Sequence, residues 1–390
     1  MEARSVMKCF INPLFALSLK DHPRGKVILK VLESKDLTKW YGKEVLALNE
    51  VSFAVDEGDF FVIIGPSGCG KSTLLKVIAG LLDYESGQLF IKGTEVKQIP
   101  PHKRDISLML ENYALFPHMS VYDNIAFGLR MLAKDRSEID KQVKESLKLV
   151  GMEGFERRSP LELSGGQRQR VALARAIVVN PSVLLLDEPL SNVAAKVRER
   201  MRGELKRIQK EIGIATVFVT HDQLEAMVLG DRIAVMKDGL IEQIAEPDEV
   251  YAHPHTLFVA DFIGSPSMNL IECELLGKEE RVFLDAQDFA IDITKFAETI
   301  KKKATGPELI MGIRPEDLSM SIKKIDPKAI RGEVQLIESL GSSSIYHIKV
   351  GEKPLLVKGL LEVEVGDKVW VRFDLKKLHL FDKKTKVALW

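Results

Sequence analysis

The sequence predicts an α/β fold in its first two thirds, a largely parallel sheet with helices on both faces, followed by a smaller all-β domain. Three observations carry this expectation. Strand-like and helix-like segments alternate from about residue 28 to 263. A bare apolar run over 183–186 reads as a strand covered on both faces, and 214–219 as another buried strand. After Gly264-Ser265-Pro266 the texture changes to short, partly alternating runs separated by Gly, Pro and Asp.

In chain order, residues 51–55 and 60–64 read as strands joined by the turn Asp56-Glu57-Gly58-Asp59. Residues 71–82 read as a helix, followed by a turn at Gly87 and a strand over 88–91. Ser137 can cap a helix whose Ile139, Val143, Leu147 and Val150 form one apolar stripe, with Gly151 as its stop. Residues 194–211 form a long charged helix ending at Gly213, ahead of the strand at 214–219. Beyond a boundary near 240–265, the runs at 281–293, 309–313, 333–337, 345–350, 355–358 and 368–375 suggest a small barrel or sandwich.

Composition bounds the function. A chain of 390 residues has room for two or three domains of ~150 residues each. Its 56 basic and 56 acidic side chains cancel, which argues against a dedicated nucleic-acid binder. Cys9, Cys69 and Cys273 are too scattered for a disulfide framework or a zinc pattern, so a reducing compartment is expected. No run approaches the roughly 18 apolar residues that span a bilayer, so a membrane role would need other subunits. The apolar run over 9–19 imitates an export signal, but Pro13 interrupts it; Met7 is a second possible start.

Three motifs carry chemistry. Gly65-Pro66-Ser67-Gly68-Cys69-Gly70-Lys71-Ser72 fits G-x-x-x-x-G-K-[ST] between a predicted strand and a predicted helix. Its glycines let backbone N–H groups curl around phosphate, and the helix start adds its positive end. Lys71 would reach the β- and γ-phosphates and Ser72 would hold Mg²⁺. Asp187 and Glu188 close the apolar run at 183–186, at the strand edge where ligands of parallel sheets bind. Asp187 suits the metal shell and Glu188 the polarisation of an attacking water. Leu163-Ser164-Gly165-Gly166-Gln167 makes a second phosphate-ready helix start.

With these motifs in this order, residues 30–390 strongly resemble the nucleotide-binding subunit of an ABC transporter. The resemblance implies a P-loop NTPase cassette over 29–264 with a helical subdomain at about 112–165. Residues 265–390 would form an OB-like (TOBE) regulatory domain, and 1–28 an extension expected to be disordered. It implies a head-to-tail homodimer, with ATP between one subunit's residues 65–72 and Thr73 and the other's Ser164, Gly165, Gly166 and Gln167. Tyr41 matches the aromatic that stacks on adenine, and His221 the switch histidine at the γ-phosphate. Residues 112–127, with Tyr113, Phe116, Pro117 and His118, resemble the segment that grips the permease, although aromatic loops are usually core. Stretches 263–269, 312–316 and 378–382 look like the regulatory domain of maltose-type importers. The implied assembly joins two permease subunits and, indirectly, an extracytoplasmic solute-binding protein, at the cytoplasmic face of the cell membrane. Sugar is the expected solute; polyamine, iron and sulfate importers use similar cassettes.

Two positions depart from the family pattern. Glu111 stands where that family has a glutamine that contacts Mg²⁺ and water. At ~4 Å and an effective dielectric of ~20 its carboxylate would repel one phosphate charge by about 4 kcal/mol; alternatively it ligates Mg²⁺ directly. Val193-Ala194 replaces a leucine–aspartate pair, removing a charge that works across the dimer interface. Slow or loosely coupled hydrolysis, or an ATP-binding regulatory module, is the alternative these changes raise.

Overall fold

A computed structural model describes residues 29–278 and 281–389 of the chain. The predicted extension at 1–28, with Cys9, lies outside the described residues.

The first part runs β1 (Lys30–Tyr41), β2 (Val45–Asp56), β3 (Phe60–Ile64), α1 (Lys71–Ala79), β4 (Ser86–Ile91), β5 (Thr94–Glu95) and β6 (Ile106–Met109). It continues with α2 (Val121–Met131), α3 (Arg136–Leu149), α4 (Gly165–Ile177), β7 (Val183–Asp187), α5 (Ala195–Ile212), β8 (Ala215–Thr220) and α6 (Gln223–Leu229). β9 (Arg232–Lys237), β10 (Leu240–Ala245), α7 (Pro247–Ala252) and α8 (Leu257–Phe262) complete it.

Six of these strands form one sheet in the order β10-β9-β3-β8-β7-β6, parallel except for the β10–β9 pair. All five residues of β3 are buried, and the pleat sends them alternately into two cores. Phe60, Val62 and Ile64 belong to one core with helix residues such as Ile125, Val143, Val171 and Leu205. Phe61 and Ile63 meet Leu32, Leu48, Val51 and Phe53, together with Leu74 and Ile78 of α1. At roughly 1.5–3 kcal/mol per buried large side chain, this strand alone ties the two layers together.

The second face carries α1, as the expectation of helices on both faces required, but also a layer that expectation did not include. It is a four-stranded antiparallel sheet, β2-β1-β4-β5, with α1 beside it. The long strand β1 has repeated register shifts against β2 and a left-handed residue at Asp36, which break the period-two pattern in its sequence. The helix expected over 71–82 stops at Ala79, where Gly80 takes a left-handed cap. Asp135 rather than Ser137 stands at the start of α3, whose ladder opens with Ile139 N–H to Asp135 O.

The C-terminal part comprises β11 (Asn269–Lys278), β12 (Arg281–Asp285), β13 (Ala290–Asp292), α9 (Ala297–Lys303), β14 (Glu308–Ile313) and β15 (Leu318–Ser321). β16 (Ile330–Ser339), β17 (Ser344–Val350), β18 (Lys353–Gly359), β19 (Lys368–Phe373) and β20 (His379–Asp382) follow. The single run expected over 281–293 is therefore two strands. Two five-stranded sheets, β13-β12-β11-β14-β20 and β15-β19-β16-β17-β18, share one core that includes Leu284, Met311, Val334, Ile348, Val369 and Leu380. Buried Asn269 joins them, donating to Ile313 O and Leu356 O and accepting from Leu356 N–H.

Candidate active site

The parallel sheet brings residues far apart in sequence to one edge. The loop after β3 turns back through Gly65 and Gly70. A Cβ on Gly65 would lie 2.1 Å from Met236 O, and one on Gly70, at φ 107°, 2.4 Å from Ala47 O. Only glycine fits either place. The loop delivers its last residues to the start of α1. There the Lys71 ammonium donates to Gly65 O at 2.8 Å and Pro66 O at 3.0 Å, and Cys69 is buried beneath it.

Ser72 Oγ donates to Asp187 Oδ1 at 3.0 Å, which joins the loop to the end of β7. Burial pushes the Asp187 carboxyl up from its usual range; the Ser72 bond opposes this, and the neighbouring carboxylates Glu188 and Glu111 reinforce it. A hydroxyl beside a buried carboxylate is a hard oxygen pair, which fits Mg²⁺. Glu188 takes a left-handed backbone with φ 45°, a strained state for a residue with a side chain, held by its N–H bond to Val219 O. His221 Nδ1 shares a 2.8 Å hydrogen bond with Glu188 Oε2.

Tyr41 ends β1 and is 45% exposed, with its hydroxyl 3.2 Å from Thr73 Oγ1. It therefore stands at the rim of the loop as a half-exposed ring, with the Lys39 ammonium 5.9 Å from its centroid. Glu111 follows β6; its carboxylate accepts from Ser191 Oγ at 3.2 Å, and its carbonyl accepts from Asn192 Nδ2 at 3.1 Å. Ser164 caps α4 through a reciprocal pair with Gln167. Among the described residues no hydrogen bond joins Ser164, Gly165, Gly166 or Gln167 to residues 65–73 of the same chain. The remaining predicted site residues converge; this group stands apart from them.

Sequence reasoning missed several supports. Arg198, in the first turn of α5, donates to Ser191 O and Val193 O and pairs with Asp222 at 3.5 Å, linking the turn after Glu188 to the residue after His221. Arg175 of α4 donates to Ala114 O at 2.8 Å and Tyr113 O at 2.7 Å. Tyr113 and Ala114 both have left-handed backbones, φ 63° and 42°, so this bidentate grip holds a strained turn. Buried Asn124 braces the same loop, bonding both the N–H and the carbonyl of Phe116. Tyr113 belongs to the core, whereas Pro117 and His118 face outward. Glycine and strand signals are local in sequence; these long-range clamps leave none.

A family model described as ABC transporter matches residues 48–191, one described as MalK OB fold domain matches 264–318, and one described as TOBE domain matches 311–381. The trehalose/maltose import ATP-binding protein MalK of Thermococcus litoralis is 45% identical, over 91% of this chain and 98% of its own length. The alpha-glucoside transport ATP-binding protein AglK of Rhizobium meliloti is 43% identical, over 89% and 96%. The oligosaccharides import ATP-binding protein MsmX of Bacillus subtilis is 39% identical, over 92% and 99%. Among solved structures, the dimeric form of MJ0796, a bacterial ABC transporter cassette, is 34% identical with a TM-score of 0.51, covering 55% of this chain and 98% of that one. A dimeric post-hydrolysis state of the same cassette, bound to ADP and Pi, is 33% identical with a TM-score of 0.50, over the same shares.

Proposed function

The chain belongs to the ATP-binding subunits of ABC transporters, and from that premise we propose that it binds and hydrolyses ATP to energise uptake of a sugar through a membrane permease. The observation that carries the chemistry is the meeting of Ser72 with Asp187, and of Glu188 with His221, beside the 65–72 loop. Three relatives named for trehalose/maltose, alpha-glucoside and oligosaccharide import support sugar as the solute.

In hydrolysis a water oxygen attacks the γ-phosphorus and the bond to the ADP oxygen breaks. Glu188 points and polarises that water and takes its proton; His221, bonded to the same carboxylate, fixes the direction it faces. Lys71 and the backbone N–H groups of 65–72 balance the phosphate charge, and Tyr41 offers its exposed ring to the adenine. Ser72, Asp187 and Glu111 would hold Mg²⁺, which neutralises phosphate charge when bound. Ser164, Gly165, Gly166 and Gln167 have no bond to the loop of their own chain, which suits completion of the site by a second copy in a head-to-tail dimer. Residues 112–127 offer Pro117 and His118 to the permease. Among the described residues no helix is long and apolar enough to cross a membrane, so attachment at the cytoplasmic face would run through those subunits. The division at 264/265, with an ATPase unit ahead and a regulatory unit behind, belongs to the same proposal.

Phosphate release from the purified protein tests this reading. Wild type should release phosphate from ATP and Lys71→Ala should not; equal release from both would overturn it. A slower, ATP-sensing role is the second reading. It is favoured by Ala194, which starts α5 without any side-chain bond to the helix, and by the extra charge of Glu111 beside Asp187.

A further inference from the structure

His221 and Asp222 are followed at once by Gln223, and this side chain reaches to the last residues of the ATPase part, at the boundary with the β domain. Its amide nitrogen donates to Phe262 O, and its amide oxygen accepts from Gly264 N–H at 2.8 Å. Both polar ends of one side chain are thus spent on the stretch where the chain crosses from α8 towards β11. The carbonyl between them, Ile263 O, accepts from Arg314 at 2.6 Å. Arg314 is fully enclosed: it also donates to Tyr251 O at 2.7 Å and lies 3.6 Å over the Tyr251 ring, whose hydroxyl donates to Glu316. A Cβ on Gly264, at φ 132°, would fall 2.5 Å from the guanidinium, so the crossing passes directly beneath it. Residues 262–264 are therefore gripped from the ATPase side by Gln223 and from the β domain by Arg314.

The other end of this link is equally short. Asp222 N–H donates to Thr220 Oγ1, Asp222 Oδ1 caps α6 through Glu225 N–H, and Asp222 Oδ2 faces Arg198. His221 and Gln223 are separated by Asp222 alone, two steps of extended chain or at most about 7 Å. A turn so braced has no slack in which to absorb a displacement of the crossing.

We infer that Gln223 is a positioning residue, which fixes the His221 turn to the 262–264 crossing so that movement of the C-terminal β domain alters the His221–Glu188 pair. This rests on the ATPase reading above. It assigns the β domain a direct mechanical input to the hydrolytic site of its own subunit.

Amide hydrogen exchange of the full-length protein, with and without ATP and Mg²⁺, tests the inference. Gln223→Met keeps the length and removes both bonds; Gln223→Glu keeps only the acceptor for Gly264. In wild type, ATP should slow exchange at 65–72, 221–223 and 262–264 together, the last by about fivefold or more. In Gln223→Met the first two should still respond while 262–264 changes less than about twofold. The same variant should lose about tenfold in kcat, with KM for ATP within about twofold and an unchanged melting temperature; Gln223→Glu should fall between. Equal protection of 262–264 in wild type and Gln223→Met, or an unchanged kcat, would overturn the inference. No response at 65–72 in wild type would instead mark failure of the ATP reading itself, and the inference would fall with it.

Discussion

Ala194 is the N-cap of α5, with no side-chain bond to the free N–H groups of the first turn, and that turn holds no acid. Lys196 and Arg198 bring positive charge to the positive end of the helix instead. Ala194→Asp should therefore stabilise the protein by about 1 kcal/mol, read from urea unfolding. Glu111 offers the parallel case. Glu111→Gln keeps an acceptor for Ser191 Oγ but removes a charge that raises the Asp187 carboxyl. If Mg²⁺ does not neutralise Glu111, its carboxylate repels phosphate by up to ~4 kcal/mol, and turnover of the intact transporter should rise several-fold in Glu111→Gln, in Ala194→Asp, or in both. Unchanged rates in both variants would remove the idea that these residues slow the enzyme. Both departures were legible from the sequence as departures. What Ala194 does to its helix was not, because a cap is defined by where the ladder begins.

At the scale of elements, the phosphate loop and β7 were legible because glycine spacing and a bare apolar run are local signals. The antiparallel layer was not: the bulges of β1 blur its alternation, and its partners β2 and β4 lie on either side of the loop in sequence. The loop from 111 to 118 shows the same limit. The resemblance gave 112–127 a gripping role with its aromatics otherwise core, and the structure divides them: Tyr113 is core, while Pro117 and His118 are among the exposed residues. The turn that separates these roles is held in its strained form by Arg175, which reaches both carbonyls. Arg175→Ala should leave ATP hydrolysis of the isolated subunit within about twofold while permease-stimulated turnover falls more than about tenfold, with one to a few kcal/mol of turn strain released. Arg175→Lys should not restore it, since one ammonium cannot span two carbonyls in the guanidinium's geometry. Equal loss with and without permease would contradict this.

Across the whole molecule, the C-terminal motifs that marked the subfamily prove to be joints. Asn269 joins the two β sheets, Arg314 holds the crossing, and Asp382 fastens the loops around β20. Asp382 accepts from the N–H and hydroxyl of Thr305 and of Thr385, and from Lys384 N–H. Burial opposes its charge, but these donors hold its carboxyl down to about 2. Removing the acceptor in Asp382→Ala should cost about 2 kcal/mol. Burial, with the charge of Arg314 nearby, lowers His379 from 6.5 to about 4. A histidine kept neutral by the fold contributes stability in full above about pH 6.5 and loses it as pH falls to about 4. Melting of the full chain between pH 7 and pH 4 should show this loss, and His379→Gln should flatten it. The long-range links among these left no sequence signal, because they join residues distant along the chain, as Asn269 to Leu356, Thr305 to Asp382 and Gln223 to Gly264 do.

Single-turnover hydrolysis by Glu188→Gln, with the oligomeric state followed in the same samples, decides whether Glu188 polarises the attacking water. The account predicts that the variant binds ATP, loses at least about 10²-fold in turnover, and accumulates as an ATP-bound dimer. Hydrolysis at the wild-type rate would show that Glu188 is not the residue that polarises the attacking water, and would contradict the account.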